Sequence, residues 1–193
     1  MATIYTIGHS TRTLDEFIAL LQAHEIALLV DIRSYPASRR MSWFQGPQYP
    51  PFMTDEEGRR NEALETTLPR AGIEYAWMRS LGGRRGKSRD DSPNTAWRSP
   101  AFRNYADYML TEDFRRGAAE LIGLAESKRT CVMCAEGQVY YHCHRMLLSD
   151  YLAAKGHTVL HISSKAAAKP HRMTAEARVE NGELTYPGEP ALF

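Results

Sequence analysis

A continuous apolar segment, residues 27–33 with the sequence ALLVDIR, decides the fold class. Apolar side chains fill successive positions before the charged end, so both faces of an extended chain would be apolar here. Such strands are typical of parallel sheets that are covered by helices on both faces. Four other short apolar segments are predicted as strands, and they lie at residues 3–7, 73–78, 130–133 and 158–162.

Segments with helical spacing separate the predicted strands. Residues 13–16 (TLDE) and 54–57 (TDEE) each form a capping box, in which a threonine and a glutamate satisfy free N–H groups at a helix start. The first box opens a helix with one apolar face, and the second predicts a helix to about Leu68. Later helices are predicted at residues 100–110, 113–127 and 144–155.

Alternating strands and helices favour one α/β domain in three layers, with a mostly parallel five-stranded sheet. We expect the first strand to be central and to be flanked by the second and fourth. The length of 193 residues suits a single domain, with a core at 3–162 and a tail at 163–193. An Asn-Gly pair at 181–182 predicts a small hairpin in that tail. Two long polar loops, 34–53 and 79–98, have lengths that often accompany function.

Composition limits the class of partner and the compartment. The formal net charge is +1, so nucleic acid or a membrane surface could be bound only through local patches. No run of about eighteen apolar residues is present, so we expect no membrane span. The first residues lack the basic region and apolar stretch of a signal peptide, and the three cysteines are an odd number. We therefore expect a cytoplasmic protein with reduced thiols.

Polar side chains follow three of the predicted strands and open one of the helices. Right-handed crossovers between parallel strands bring such positions to the same edge of a sheet, where α/β proteins bind their ligands. We therefore expect one pocket at this edge. Its candidate residues are Gly8, His9, Ser10, Asp31, Arg33, Cys134, Glu136, Cys143, His144 and Arg145.

Two cysteines among these candidates suggest nucleophilic chemistry. A thiol at a helix start, such as Cys143, can have a lowered pKa and act as a nucleophile, or it can pack as a small apolar group. Cys134 and Glu136 share a strand face, and the carboxylate could carry protons or pair with an arginine. His144 is a second acid–base candidate. It points roughly 100° away from Arg145 on a helix, so only one of the two needs to face a ligand.

The remaining candidates suggest binding. Gly8, His9 and Ser10 could offer backbone N–H groups and an imidazole to a ligand, or they could form a tight turn. Asp31 and Arg33 share a strand face, so they could pair with each other or leave the arginine for an anion. Basic and aromatic residues in the two loops suit a nucleotide or single-stranded nucleic acid, although solvated loop charge is the plainer explanation. These loop residues are Arg39, Arg40, Trp43, Phe44, Arg84, Arg85, Lys87 and Arg89.

The Cys-Val-Met-Cys string at 131–134 does not predict a metal or redox motif. Residues three apart on a strand point to opposite faces, so we place Cys131 in the core. An alternative is a mononuclear metal site, whose ligands would be Cys134, Cys143, His144 and His9. The adjacent Cys-His pair is not the spacing of a structural zinc site. We therefore predict neither a metal nor a cofactor.

Six short strings, taken in chain order, resemble one known family. They are YTIGHS at 5–10, VDIRS at 30–34, GIEY at 72–75, LGG at 81–83, CAE at 134–136 and CHR at 143–145. Across at least residues 4–162 the chain is similar to the bacterial and archaeal proteins grouped as domain of unknown function 488. The resemblance implies an α/β sandwich with a Rossmann-like sheet, and it implies the candidate residues above as signature positions. It implies no activity, since the family is named for lacking one.

Two classes of function remain open. The first is an enzyme that acts on a phosphorylated or nucleotide-like substrate, or on a nucleic-acid base. In that enzyme either cysteine would be the nucleophile, Glu136 or His144 the acid–base group, and the arginines at 33 and 145 the anion clamps. The second is a non-catalytic module that binds a nucleotide or nucleic acid through the same cluster. Two thiols in one cluster favour the enzyme, and a small anionic or nucleotide-like ligand is expected in either case.

Overall fold

The computed structural model describes residues 1–36, 44, 64–87, 89–137 and 143–188 of the chain. A six-stranded sheet runs through its centre. Its strands are β1 (Thr3–Gly8), β2 (Leu28–Asp31), β3 (Glu74–Trp77), β4 (Thr130–Cys134), β5 (Thr158–His161) and β6 (Lys169–Pro170). Strands β1 to β5 are parallel to one another, and β6 is antiparallel to β5. The sheet is therefore mostly parallel, as predicted.

The strand order is β3-β2-β4-β1-β5-β6, so the expected neighbours of β1 were wrong in one respect. β4 lies between β1 and β2, with Cys131 opposite Tyr5 on one side and Leu29 on the other. The neighbours of β1 are therefore β4 and β5. All five residues of β4 are buried, as a central strand requires, but β2 is equally buried. Apolar content alone therefore does not rank these strands from centre to edge.

The sixth strand comes from the tail and was not predicted. β6 has two residues, and it pairs with β5 through Pro170 opposite Leu160 and Lys169 opposite His161. A strand this short shows no period in the sequence. Proline suits this edge position because it has no N–H group to donate to a further strand.

Two more strands form the hairpin that the Asn-Gly pair in the tail predicts. β7 (Arg178–Glu180) and β8 (Glu183–Thr185) pair in antiparallel fashion. Asn181 and Gly182 between them have positive φ angles of 50° and 79°. Two successive residues with positive φ define the tight turn that an Asn-Gly pair favours, so this prediction is confirmed.

The described part of the chain also contains α-helices. They are α1 (Leu14–Ala23), α2 (Leu64–Arg70), α3 (Pro100–Met109), α4 (Glu112–Ser127) and α5 (His144–Ala154). The capping box of α1 is confirmed, because Thr13 Oγ1 accepts from the Glu16 N–H at 3.2 Å and the Glu16 carboxylate accepts from the Thr13 N–H at 2.8 Å. The second predicted box, at 54–57, lies outside the described residues. None of the described helices is long and apolar enough to cross a membrane.

These helices cover both faces of the sheet and complete a Rossmann-like sandwich. Helices α1 and α2 pack on one face, together with Leu29 and Cys131. Helices α3, α4 and α5 pack on the other face, together with Val30 and Val132. We refer to these as the α1 face and the α5 face. Neighbouring residues of one strand enter different cores, which explains the unbroken apolar runs of β2 and β4.

Asp150 in the middle of α5 anchors the tail. Its carboxylate is fully buried, and it accepts hydrogen bonds from His171 Nε2 at 2.8 Å and from the Tyr186 hydroxyl at 3.0 Å. Thr174 donates to it twice, through its backbone N–H and its hydroxyl. A buried carboxylate is stable only when its acceptor positions are filled in this way. The tail and α5 therefore hold each other in place.

Gly8, the last residue of β1, lets the loop after β4 come close. A Cβ atom at this position would lie 1.6 Å from the carbonyl oxygen of Glu136. The same loop is held to β1 by a hydrogen bond of 3.0 Å from the His9 N–H to the Cys134 carbonyl. Glycine is therefore required at this position unless the loop moves.

We predict that Gly8→Ala lowers the free energy of unfolding by about 2–3 kcal/mol, because the added methyl group must displace a backbone carbonyl. The matched control is Gly123→Ala in α4, where a Cβ atom would meet nothing within 4 Å. That change should be neutral or should raise the free energy of unfolding by up to about 1 kcal/mol, since alanine is the better helix former. Urea unfolding measures both, and equal effects would contradict the close approach at Gly8.

Candidate active site

A pocket of about 560 Å³ opens where β2 and β4 end and α5 begins. The long loops contribute Ser34, Tyr35 and the segment 83–85 to its wall. The predicted candidates that line it are Arg33, Cys134, Glu136, Cys143, His144 and Arg145. This is the sheet edge at which the sequence places the site.

Two thiols meet inside this pocket. Cys134 ends β4 and Cys143 caps the start of α5, and their Sγ atoms are 2.8 Å apart. Both side chains are buried, with 7% and 4% of their surface exposed. Cys143 Sγ also accepts the backbone N–H of Arg145 at 3.4 Å. The thiols therefore form one hydrogen-bonded unit at a helix start.

Electrostatics separate the two thiols. Burial on its own would raise the pKa of Cys134, but the hydrogen bond from Cys143 and the charge of Arg145 outweigh it and hold that pKa below its ordinary value. The same hydrogen bond, together with burial, raises the pKa of Cys143. The pair therefore gives up its first proton at a lower pH than an isolated thiol would, and its second at a higher pH.

Arg145 is buried beside the thiols without a carboxylate partner. Only 1% of its surface is exposed, and its Nη2 donates to the Glu136 carbonyl over a long 3.4 Å. Its Nε and Nη1 have no hydrogen-bond partner in the described part of the chain. No acidic side chain within the described ranges forms an ion pair with it. Unused charged donors are costly in a protein interior, so this guanidinium is poised for an anion.

Arg33 has the opposite environment. Its guanidinium pairs with Asp31, with Nη2 2.6 Å from Oδ2 and Nε 2.9 Å from Oδ1, and its Nη1 donates to the Phe44 carbonyl at 2.9 Å. Tyr75 donates a further bond of 2.9 Å to the Asp31 carboxylate. Each side of this guanidinium is in use, so the structure favours the internal Asp–Arg pair over an anion clamp at Arg33.

His9 does not line the pocket, and the expectation that it would is wrong. It is buried on the α1 face, where its ring stacks on Phe44 at 4.3 Å and Phe44 meets Phe17 edge-on. His9 Nδ1 donates to the Ser10 carbonyl at 3.0 Å, and its Nε2 is buried without a partner among the described residues. Burial and the charge of Arg33 lower the pKa of His9 to about 4, so the imidazole is neutral at pH 7.

Gly8 and Ser10 act through the backbone. Ser10 donates its N–H to the Ala135 carbonyl at 3.0 Å, and its hydroxyl would lie 2.6 Å from a Cβ atom on Gly137. Together with Gly8 against the Glu136 carbonyl, this contact fixes the loop that follows Cys134. Gly8 and Ser10 therefore do not line the pocket, but they position the loop that forms part of its wall.

His144 and Glu136 both line the pocket, but in different environments. The His144 ring stacks on Phe102 at 5.0 Å, and its Nε2 lies 3.3 Å from the Ala101 carbonyl. Burial lowers the pKa of His144, so this ring is a neutral, packed wall. The Glu136 side chain is exposed, and no ion pair joins it to either arginine in the described ranges. Of the two acid–base candidates, Glu136 is the one whose side chain is exposed to solvent.

Cys131 is fully buried on the α1 face, so its placement in the core is confirmed. Burial raises the pKa of this thiol. Within the described residues, no three His, Cys, Asp or Glu side chains are grouped as ligands for a metal ion. His9 lies on the other face from Cys134 and Cys143, so the alternative metal set is not assembled.

The pocket also carries an aromatic residue, Tyr35, that no pattern in the sequence singles out. Tyr35 is half exposed at its mouth, where the Arg84 guanidinium lies 5.7 Å from the ring centre. Tyr105 meets the His144 ring edge-on from α3. Tyr105 is fully buried and supports the His144 ring from the core, and helical spacing on α3 does not show which buried residues lie behind a pocket.

The fold and pocket define this chain as an α/β sandwich protein with a buried thiol pair and an unpaired arginine at the carboxyl edge of its sheet. The model of the family described as Domain of unknown function DUF488 matches residues 48–152, just over half of the chain. The chain belongs to this family, which confirms the resemblance found in its sequence. Comparison with curated proteins and with solved structures gave no significant match.

We predict that iodoacetamide at neutral pH alkylates Cys134 at least about tenfold faster than Cys131, because thiolate, not thiol, is the nucleophile and one pKa unit changes its fraction about tenfold. Cys143→Ala removes the donor to Cys134 and should move the pH profile of alkylation to higher pH. Mass spectrometry of peptides after timed labelling measures each site. Labelling of all three cysteines only after unfolding would leave the pair without special reactivity.

The lowered pKa of His9 also predicts a pH dependence of stability. Between pH 6.5 and about 4 the unfolded chain binds a proton at this residue that the folded chain does not, so acid lowers the free energy of unfolding by up to about 1.4 kcal/mol per pH unit. The contribution is complete above pH 6.5. His9→Gln should make the fall shallower, although the buried His161, whose pKa is lowered to about 3, still contributes. Urea unfolding at pH 7 and pH 5 tests this. An equal loss of the free energy of unfolding in wild type and in His9→Gln would refute it.

Proposed function

We propose that this protein is an enzyme that uses the Cys134–Cys143 thiol pair as a nucleophile on a phosphate-bearing, nucleotide-like substrate. The observation that carries the proposal is the unpaired Arg145 guanidinium buried beside the two thiols. A thiolate next to a cation at a helix start is a typical arrangement of an activated cysteine. A structural thiol needs none of these features.

Charge balance supports an anionic substrate. Asp31 neutralises Arg33, whereas no described carboxylate neutralises Arg145, so the pocket keeps one buried cation. The start of α5 adds backbone N–H groups and the positive end of a helix dipole, both of which favour a phosphate. A charge-assisted hydrogen bond in such a place contributes about 1.5–3 kcal/mol.

The proposed chemistry proceeds in two displacements. The Cys134 thiolate attacks phosphorus, so an S–P bond forms while the P–O bond to the leaving group breaks, and the leaving oxygen takes a proton relayed by Glu136. Water then attacks the same phosphorus, the S–P bond breaks, and phosphate and the thiolate are released. Glu136 accepts the proton of that water in the second step. Cys143 stays protonated and stabilises the thiolate between the two steps.

Tyr35 and Arg84 at the pocket mouth favour the nucleotide-like part of the substrate. A half-exposed aromatic ring with a guanidinium near its face suits a planar base. The same pair supports the second candidate function, a non-catalytic module that binds a nucleotide or nucleic acid. Salt-sensitive binding without any thiol-dependent turnover would favour that alternative.

Two further expectations belong to this proposal. Free thiols, as at Cys131, Cys134 and Cys143, persist in a reducing compartment, so we place the enzyme in the cytoplasm. We also assign residues 3–162 to the core of one domain and 163–193 to its extension. The Asp150 contacts support a single domain, because they attach the extension to the core through α5.

We predict that the protein hydrolyses p-nitrophenyl phosphate and that Cys134→Ser abolishes turnover. The matched control is Cys131→Ala, which removes the buried thiol of the α1 face and should keep turnover within about twofold, because that thiol is on the other side of the sheet. Arg145→Gln should weaken binding of inorganic phosphate by about tenfold or more, the equivalent of one charge-assisted bond. Arg84→Gln, at an exposed position, should weaken it by less than about fivefold.

Calorimetry measures phosphate affinity, and thermal unfolding verifies that each variant is folded. Undiminished turnover in Cys134→Ser would contradict the nucleophile. Equal phosphate affinity in wild type and Arg145→Gln, or no binding to wild type at millimolar phosphate, would contradict the anion site.

A further inference from the structure

The contact between the two thiols allows a second chemistry that the proposed displacement does not need. Their Sγ atoms are 2.8 Å apart in the reduced protein, and a disulfide bond requires about 2 Å, so little movement separates the two states. The two cysteines lie at the two ends of one connection. Cys134 is the last residue of β4, and Cys143 is the N-cap of α5. This connection begins with a loop that Gly8 and Ser10 brace, so the sulfur atoms are held together by the fold.

We infer that Cys134 and Cys143 are an oxidative modification site, at which a small hydroperoxide converts the thiol pair into an intramolecular disulfide. In the first step the Cys134 thiolate attacks the terminal peroxide oxygen, the O–O bond breaks, and the leaving oxygen takes a proton to become water or an alcohol. Cys134 is then a sulfenic acid, oxidised by two electrons. In the second step Cys143 sulfur attacks Cys134 sulfur, the S–O bond breaks, and hydroxide leaves with the Cys143 proton as water.

The surroundings of the pair fit this order of events. Cys134 borders the pocket, so a peroxide the size of two water molecules can reach it, and Arg145 offers unused N–H groups to the oxygen that becomes negative. Cys143 is the less exposed thiol and is already in contact with Cys134, which suits the sulfur that resolves the sulfenic acid. Cys131 lies across the sheet, fully buried, and cannot serve as the resolving thiol.

Formation of the disulfide has a consequence that rests on the proposed function. The bond removes the Cys134 thiolate, so phosphate-ester turnover should stop in the oxidised protein and return when a dithiol reduces it. The disulfide itself does not depend on any substrate. Oxidation and turnover can therefore succeed or fail independently.

The test treats the reduced full-length protein with hydrogen peroxide at a few molar equivalents and follows its intact mass. We expect the loss of two hydrogen atoms, a Cys134–Cys143 crosslinked peptide, and full reversal by dithiothreitol. Cys143→Ser should form no crosslink and should instead trap the sulfenic acid on Cys134, which dimedone labels. Cys134→Ser should form no intramolecular disulfide, and Cys131→Ala should form it at the wild-type rate within about twofold.

Several results would overturn the inference. One is a crosslink that includes Cys131, and another is a disulfide between two copies of the chain in place of the intramolecular bond. Persistent dimedone labelling of wild type at the level of Cys143→Ser would show that Cys143 does not resolve the sulfenic acid. A disulfide that forms in a protein without phosphate-ester turnover would uphold this inference and refute the proposed function, whereas turnover without a disulfide would do the reverse.

Discussion

The parallel pairing of β1 with β4 is the constraint on which the site depends. The ladder between these strands continues past their ends, through His9 N–H to the Cys134 carbonyl and Ser10 N–H to the Ala135 carbonyl, each 3.0 Å. It can continue only because Gly8 leaves room for the loop. Cys134 is thereby held where α5 begins, and this placement brings its sulfur to Cys143. The contact between the two sulfur atoms therefore depends on backbone hydrogen bonding between β1 and β4.

Two arginines that the sequence presents as equivalent have different partners in the structure. Arg33 pairs with Asp31 and donates to a carbonyl, so its charge serves the structure. Arg145 extends from α5 into the same edge of the sheet but meets thiols and a carbonyl, with no acid in the described ranges. A buried cation in such a place is costly unless a thiolate or a bound anion lies beside it. The difference in partners, not in residue type, makes Arg145 the better ligand-binding candidate.

The sequence predicts what depends on local periodicity and on the sheet edge. Apolar runs and a capping box locate β2, β4 and α1, and the strand-end rule brings Cys134, Cys143 and Arg145 together. Strand order depends on which buried strand packs beside which, and β2 and β4 are too alike in composition to rank. The face on which His9 lies depends on Phe44, a residue of a loop without a period. Pairing of Arg33 could be weighed as an alternative but not decided, since it depends on side-chain geometry at the strand end.

The position of the thiols also depends on the tail, a part of the chain far from them in the sequence. α5 carries Cys143 and Arg145 at its start and Asp150 further along, and the tail fills the acceptor positions of that carboxylate. Tyr186 also accepts the Ala96 N–H at its carbonyl, at 3.0 Å, and donates its N–H to Asn94, so the tail joins α5 to the loop that borders the pocket. A helix held at its middle by buried, charged hydrogen bonds has little freedom to slide. The distance between the two sulfur atoms therefore depends on two sets of contacts. Pairing with β1 fixes Cys134, and the contacts of the tail with α5 fix Cys143.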